Sequence, residues 1–158
     1  MNSSEIKTLI EAAFQNVTLD GGVSQLQSQV MDNYGEGVTT AEFNRLPRRE
    51  VTNDWKAFPV ETFFSFSYLD AKGFRYYIPA LMTESLEKGV WIGETISALY
   101  PKNDHLREHR FSQYALLNPQ QRVAITQFLS WLSHRVELDH HYQVQVERAL
   151  RNYWHQYV

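Results

Sequence analysis

The sequence contains no cysteine. This absence excludes disulfide bonds, thiolate nucleophiles and thiolate zinc sites together, and it is typical of proteins in a reducing compartment. No apolar run approaches the roughly 18 to 20 residues of a membrane-spanning helix. The N-terminal stretch MNSSEIKTLIEAAF also lacks a basic region followed by an apolar core. We therefore expect a cytoplasmic protein without a membrane partner.

Clusters of basic residues are missing as well. The net charge is -3 and the basic residues are scattered, so the sequence lacks the positive patch that binds a nucleic-acid backbone. By contrast, residues 1–44 hold six acidic residues against Lys7 alone. Such a segment is typical of a solvated surface, and it also suits a patch that meets a basic partner.

Catalytic signatures are absent too. Neither G-x-S-x-G nor G-x-x-x-x-G-K-[ST] occurs, so the sequence has no recognisable serine nucleophile elbow and no P-loop. The 18 acidic residues include no pair that spacing alone places together. The sequence predicts a protein that is not an enzyme and that uses no cofactor.

The pattern that dominates the sequence is helical. Its 158 residues, 43% of them hydrophobic, suit one domain with a substantial core. Apolar residues recur at three- and four-residue steps in several segments, and Asn2 with Glu5 and Asn118 with Gln121 have the spacing of capping boxes. We predict an all-α, mainly helical single domain over residues 1–158, an irregular bundle of about six or seven helices.

Three segments are harder to assign. Between Gly21 and Gly37 the apolar residues fit a helix only loosely, and residues 39–46 suit a short helix that Pro47 would end. Residues 48–54 form the most polar linker. Residues 60–68, VETFFSFSY, alternate like a strand yet also step like a helix; we favour a helix.

The segment from Asp70 to Gly89 contains a proline at Pro79, in the stretch FRYYIPALM. Asp70 suits an N-cap and Gly89 a left-handed C-cap. Two structures fit: one helix kinked at Pro79, or two helices with Pro79 in the first turn of the second. The unbroken apolar stripe favours the single kinked helix.

At this motif the chain resembles a bacterial family of small domains of unknown function. The stretches that carry the resemblance are IEAAF, residues 55–59, YLDAKGFRYYIPALM, NPQQRVAITQFLSWL and the closing Tyr153 and Trp154. The resemblance covers most of the chain and is weak between Val17 and Asn53. It implies a self-contained small bacterial domain, and it brings no activity, cofactor or catalytic residue with it.

Histidines suggest two metal patterns, and we expect neither to bind metal. The stretch HLREH, from His105 to His109, matches the H-x-x-E-H pattern of inverted zinc peptidases. It follows a proline in a segment with few apolar residues, so a solvated polar segment is the expected structure. The second pattern combines three histidines with two acids in a predicted turn between helices: His134, Glu137, Asp139, His140 and His141.

We predict a protein-binding role. An immunity protein that neutralises a cognate basic toxin domain is one concrete version. The expected docking residues are Asp32, Tyr34, Glu36 and Glu42. They combine an aromatic residue with nearby acids in a glycine-flanked stretch, where the sequence departs from the family resemblance.

The alternative is an enzyme or small-molecule-binding protein. Its site would lie where the Pro79 turn presents Arg75 and Tyr76 on an outer face, together with the segment from His105 to His109. If a protein partner docks away from the acidic stretch, we expect its interface around Arg75, Tyr76 and Trp91.

Overall fold

The computed structural model describes residues 1–49 and 53–158, with the backbone alone over residues 47–49. Part of the polar linker predicted at residues 48–54 therefore lies outside the described residues. The described part is 64% helical and contains no strand, which confirms the all-α prediction. Its α-helices are α1 (Ser3–Ala13), α2 (Gln25–Asp32), α3 (Thr40–Arg49), α4 (Ala71–Lys88), α5 (Ile92–Leu99), α6 (Arg107–Tyr114), α7 (Pro119–Ser133) and α8 (His140–Asn152).

The predicted helix caps are present. Asn2 and Glu5 bond each other's backbone N–H at 2.9 and 2.7 Å at the start of α1. Asn118 and Gln121 do the same for α7. A third capping box, between Ser24 and Gln27, starts α2, so the weakly patterned segment is a helix over eight residues.

Helix α4 forms the centre of the bundle. It begins at the Asp70 cap, where Oδ1 accepts from Gly73 N–H at 2.8 Å, and it ends at Gly89 with φ 68°. It is one helix that contains Pro79, as the apolar stripe predicted. Neighbouring elements cover it on several sides, so Tyr76 is only 4% exposed. The expectation that Tyr76 lies on an outer face is wrong.

Five helices pack in a closed cycle around the core. Helix α4 contacts α1 and α5, α5 contacts α8, and α7 joins α8 back to α1; α6 packs on α4. Two buried tryptophans connect different parts of the chain by hydrogen bonds from their indole N–H groups to backbone carbonyls. Trp55 donates to the Phe14 carbonyl at 2.9 Å, and Trp154 donates to the Leu99 carbonyl at 2.6 Å. No helix of the described residues is long and apolar enough to cross a membrane.

Helix α3 continues past Pro47 to Arg49, so the prediction that Pro47 ends it is wrong. A proline removes the N–H that would bond the carbonyl four residues back, which belongs to Phe43. In this protein the Gln27 side chain from α2 donates to that carbonyl at 3.0 Å. The Phe43 carbonyl thus has a donor from another helix.

Residues 60–68 are not an α-helix, contrary to prediction. A short 3-10 turn at Val60–Thr62 is followed by an irregular segment, residues 63–69, which we call the aromatic loop. Phe63, Phe66 and Leu69 are buried at every third position, and that spacing resembles a helix. Side chains distant in sequence bond the backbone of the loop, so it needs no helical hydrogen bonds.

Three side chains provide these bonds. Gln25 Oε1 accepts from the N–H groups of Phe64 and Ser65 at 2.6 and 3.0 Å. Gln113 Nε2 donates to two further loop carbonyls at 2.7 and 3.0 Å, and the His109 ring lies 2.8 Å from the Ser67 carbonyl. The loop is therefore fixed between α2 and α6.

Candidate functional site

Helix α2 buries three of its polar side chains and leaves its apolar ones partly or fully exposed. Gln25, Gln27 and Ser28 are buried, whereas Val30 is half-buried and Met31 is 37% exposed. The cause lies in other parts of the chain: the two glutamines face inward to bond the aromatic loop and the Phe43 carbonyl. The apolar residues of α2 are consequently less buried than these three polar ones, the reverse of an ordinary surface helix.

These apolar residues line a depression of about 440 Å³ between α2 and α3, which we call the α2–α3 groove. Tyr34 belongs to its wall and is 92% exposed. Its φ of 56° is left-handed, a conformation uncommon for a bulky residue, and Gly35 and Gly37 beside it also have positive φ. The remaining wall is largely apolar: Val30, Met31, Val38, Phe43 and Tyr68.

The four predicted docking residues are all exposed; Tyr34 lines the groove, and the three acids belong to the same stretch of chain as its lining residues. Asp32 ends α2, and Glu36 lies between the two glycines of the following turn. Glu42 is in the first turn of α3, where it exchanges backbone hydrogen bonds with Thr39. The structure therefore places an apolar groove and an exposed tyrosine within an acidic stretch of chain.

A second depression, of about 470 Å³, lies beneath the aromatic loop against α5 and α6; we call it the Gln113 pocket. Its wall includes Ser97, His109, Arg110 and Gln113. Tyr68 belongs to this pocket and to the α2–α3 groove, so the two depressions adjoin.

A third depression, of about 590 Å³, opens at the start of α5, and we call it the tryptophan cleft. Trp91 lines it with a left-handed φ of 66°. From the other side, the guanidinium of Arg135 lies 4.4 Å from the centre of the Trp131 ring. Arg135 also pairs with Glu137, and their hydrogen bond lowers the pKa of the Glu137 carboxyl.

Tyr142 separates the tryptophan cleft from the Gln113 pocket and lines both. It packs against Gly93 so closely that a Cβ there would lie 2.6 Å from the tyrosine oxygen. A glycine at this position allows the ring of α8 to reach the backbone of α5. The three depressions thus adjoin one another in sequence, with Tyr68 shared by the first two and Tyr142 by the last two.

The alternative site is only partly assembled. Trp91 lines the tryptophan cleft, and His109 lines the Gln113 pocket. Arg75 and Tyr76 line none of the three depressions. Neither predicted set therefore lines a common depression. Tyr76 packs into the core beside Tyr77, with ring centres 4.9 Å apart.

The histidines of the two candidate metal patterns are exposed. His105 lies in the turn before α6, while His109 lies within α6 and contacts the Ser67 carbonyl. His134 caps α7, and His140 and His141 begin α8. In the ranges 1–49 and 53–158 no three histidine or acidic side chains are grouped as a metal would require.

Sequence reasoning missed the roles of Gln25 and Gln113. A glutamine within a helix carries no pattern of its own, and the carbonyls that it bonds lie some 40 positions away in the chain. A weak signal exists for Gln113 alone, which occupies a position where the spacing from Leu106 and Leu117 expects an apolar residue.

Comparison with protein families shows to which family the chain belongs. Residues 2–158 match a family of unknown function, DUF6714. The chain belongs to this family. Comparisons with curated proteins and with solved structures give no match. Family membership agrees with the resemblance found in the sequence, and it leaves the function to be argued from the surface of the protein.

Proposed function

We propose that this member of the DUF6714 family is a non-catalytic protein-binding domain that docks its partner on the α2–α3 groove. The observation that carries the proposal is the inverted burial of α2, which turns Val30 and Met31 outward while glutamines fill the interior. An apolar surface of this kind is stabilised when a partner covers it.

The surroundings of the groove specify the chemistry of the partner. Asp32, Glu36 and Glu42 supply negative charge, so a basic surface is favoured and is steered toward the groove. Tyr34 provides an exposed aromatic, the residue type that most often anchors an interface. The partner should therefore present an apolar side chain within a positively charged patch.

An inhibitor of a basic toxin domain fits this description. In that version the domain acts in the bacterial cytoplasm as an immunity protein and blocks its cognate toxin. Support comes from the acidic groove and from the divergence of residues 17–53 from the resemblance noted in the sequence, since partner-specific recognition produces such divergence.

The test compares two variants with equal charge change. The first reverses Asp32, Glu36 and Glu42 to lysine. The control variant reverses three exposed acids elsewhere on the surface: Glu61, Glu108 and Glu147. Native chain and both variants, each immobilised, are used to capture and identify the partner, and association rates are then measured at low and physiological salt.

We expect the groove variant to slow association about tenfold or more and the control variant to leave it nearly unchanged. Tyr34→Ala should mainly speed dissociation, because an anchor is lost. A partner that binds all three charge forms equally, with no dependence on salt, would place the interface elsewhere.

A further inference from the structure

Two hydrogen-bonding atoms of α6 are buried without a partner among the described residues: the Arg110 Nε–H donor and the Gln113 Oε1 acceptor. A 180° rotation of the Gln113 amide, which exchanges Oε1 and Nε2, does not remove the unpartnered atom. Nε2 already donates to the carbonyls of Phe66 and Leu69, and the rotation would break both bonds. Gln113 is 1% exposed, so bulk water does not satisfy its oxygen. Buried polar groups in proteins are normally bonded, so each exception requires an explanation.

The positions of the two atoms are complementary. Arg110 and Gln113 are three residues apart in α6, and residues at that spacing are neighbours on one helix face. One of them offers a donor and the other an acceptor. A ligand group with a C=O and an N–H side by side can therefore bond both atoms.

Other polar groups fit less well. A carboxylate suits the positively charged Arg110 but turns a second negative oxygen toward Gln113 Oε1. An ammonium group suits that oxygen but is repelled by Arg110. The neutral group that matches both is an amide whose C=O and N–H lie on the same edge, as they do in a primary carboxamide or a lactam.

The surrounding pocket adds an apolar rim to this polar floor. Phe64, Tyr68 and Leu106 line the Gln113 pocket, and each is between 38% and 41% exposed. The volume of about 470 Å³ lies within the usual range of ligand sites. Because neither unpartnered atom is reached by bulk water, a side chain of the pocket wall has to turn aside as the ligand enters.

We propose that the Gln113 pocket binds an amide that carries an apolar group, with the amide carbonyl on Arg110 and the amide N–H on Gln113. In a trans peptide group the C=O and the N–H point in opposite directions, so the ligand is a carboxamide or a lactam rather than an ordinary peptide bond. The site is separate from the acidic groove residues, so it goes beyond the docking function proposed above.

Two small probes of nearly equal shape test this chemistry. 4-phenylpyrrolidin-2-one is a lactam with its C=O and N–H on one edge, and 4-phenyloxolan-2-one, a cyclic ester, has a ring oxygen in place of the N–H. Binding is followed by the NMR signals of the Arg110 Nε–H and the Gln113 side-chain NH₂. We expect the amide to shift both signals with millimolar affinity, as its size allows, and the ester to bind about tenfold more weakly.

Variants locate the site. Arg110→Met removes the donor, with Arg151→Met, an exposed position on α8, as the matched control. Ser97→Phe fills the pocket from an exposed position on α5, so it tests the site even where Arg110→Met fails to fold. Equal binding of amide and ester, no shift up to about 20 mM probe, or binding unaffected by Ser97→Phe would each overturn the proposal.

Discussion

Gln25 on α2 holds Ser65 of the aromatic loop by both of its backbone polar groups. Its Oε1 accepts from the Ser65 N–H at 3.0 Å, and its Nε2 donates to the Ser65 carbonyl at 3.1 Å. The same oxygen accepts from Phe64 N–H. One glutamine therefore supplies the backbone hydrogen bonds that a neighbouring strand would supply in a sheet.

Replacing Gln25 should loosen the aromatic loop. Gln25→Ala leaves two backbone N–H groups and one carbonyl without their partner, and we expect the free energy of unfolding to fall by about 3 kcal/mol. Urea denaturation measures the change. Gln29→Ala is the control on the exposed side of α2, where the loss should stay within about 0.5 kcal/mol. Equal losses in the two variants would show that the bonds of Gln25 contribute little.

The parts of the fold that the sequence predicted are those with local causes. The Asn2–Glu5 box, the Asp70 cap and the Gly89 stop each act within one helical turn, and all three are present. The single helix through Pro79 followed from its apolar stripe. Local chemistry decides such features, so a short window of sequence suffices to find them.

The errors have distant causes. The aromatic loop and the passage of α3 through Pro47 both depend on glutamines that bond backbone groups far along the chain. Periodicity places Phe63, Phe66 and Leu69 on one buried face but does not distinguish a helix from a loop held by side chains. The exposed position of Tyr34 was predictable from its glycine-rich surroundings, whereas the unpartnered Arg110 and Gln113 become visible only in three dimensions.

Pro79→Ala should leave the fold and any partner binding intact. The substitution returns an N–H that can bond the Arg75 carbonyl, and it removes ring atoms from a buried site. These effects oppose each other, so we expect a change of about 1 kcal/mol or less in unfolding free energy. Thermal denaturation and partner affinity are the two measurements. A folded variant that loses its partner would assign Pro79 a role in recognition.

His109 and His105 should differ although both are exposed. His109 contacts the Ser67 carbonyl of the aromatic loop, whereas no side-chain hydrogen bond joins His105 to another described residue. His109→Ala should therefore lower the unfolding free energy by about 1 kcal/mol, and His105→Ala should have almost no effect. Metal content is measured in the same preparations, made without a metal-affinity tag; stoichiometric zinc lost in both variants would contradict the non-metal interpretation of HLREH.

Stability should fall at alkaline pH because of Tyr114. Burial raises the pKa of its hydroxyl, which donates to the Ala98 carbonyl at 2.6 Å. Above about pH 10 the tyrosine ionises in the unfolded chain but stays protonated in the fold. The contribution of the protonated Tyr114 hydroxyl to the unfolding free energy is complete below that pH. It is lost as the pH rises toward the folded-state pKa.

Tyr114→Phe provides the control for this pH dependence. It leaves the Ala98 carbonyl without its donor, at a cost of about 1 to 2 kcal/mol near pH 7. The decline in stability above pH 10 should be less steep in the variant, because one titrating group is gone. Unfolding free energies between pH 7 and about 11 compare the two chains, and parallel curves would contradict the assignment to Tyr114.

Two glycines that contact other elements should respond differently to alanine. At Gly73 in α4 a Cβ would lie 2.5 Å from the Val23 backbone carbonyl, and at Gly93 it would lie 2.6 Å from the Tyr142 oxygen. Backbone at Val23 cannot move without shifting the loop before α2, which Asp70 holds through the Val23 N–H at 3.0 Å. The tip of a half-buried tyrosine can turn away.

Gly73→Ala should therefore lower the unfolding free energy by about 2 to 3 kcal/mol. In Gly93→Ala the displacement of Tyr142 is offset by the better helix propensity of alanine, so the net change should be below about 1 kcal/mol. The second variant should instead alter the NMR signals of residues that line the tryptophan cleft and the Gln113 pocket, because Tyr142 forms the wall between them. Similar stability losses in both variants would show that Tyr142 is held as rigidly as the backbone.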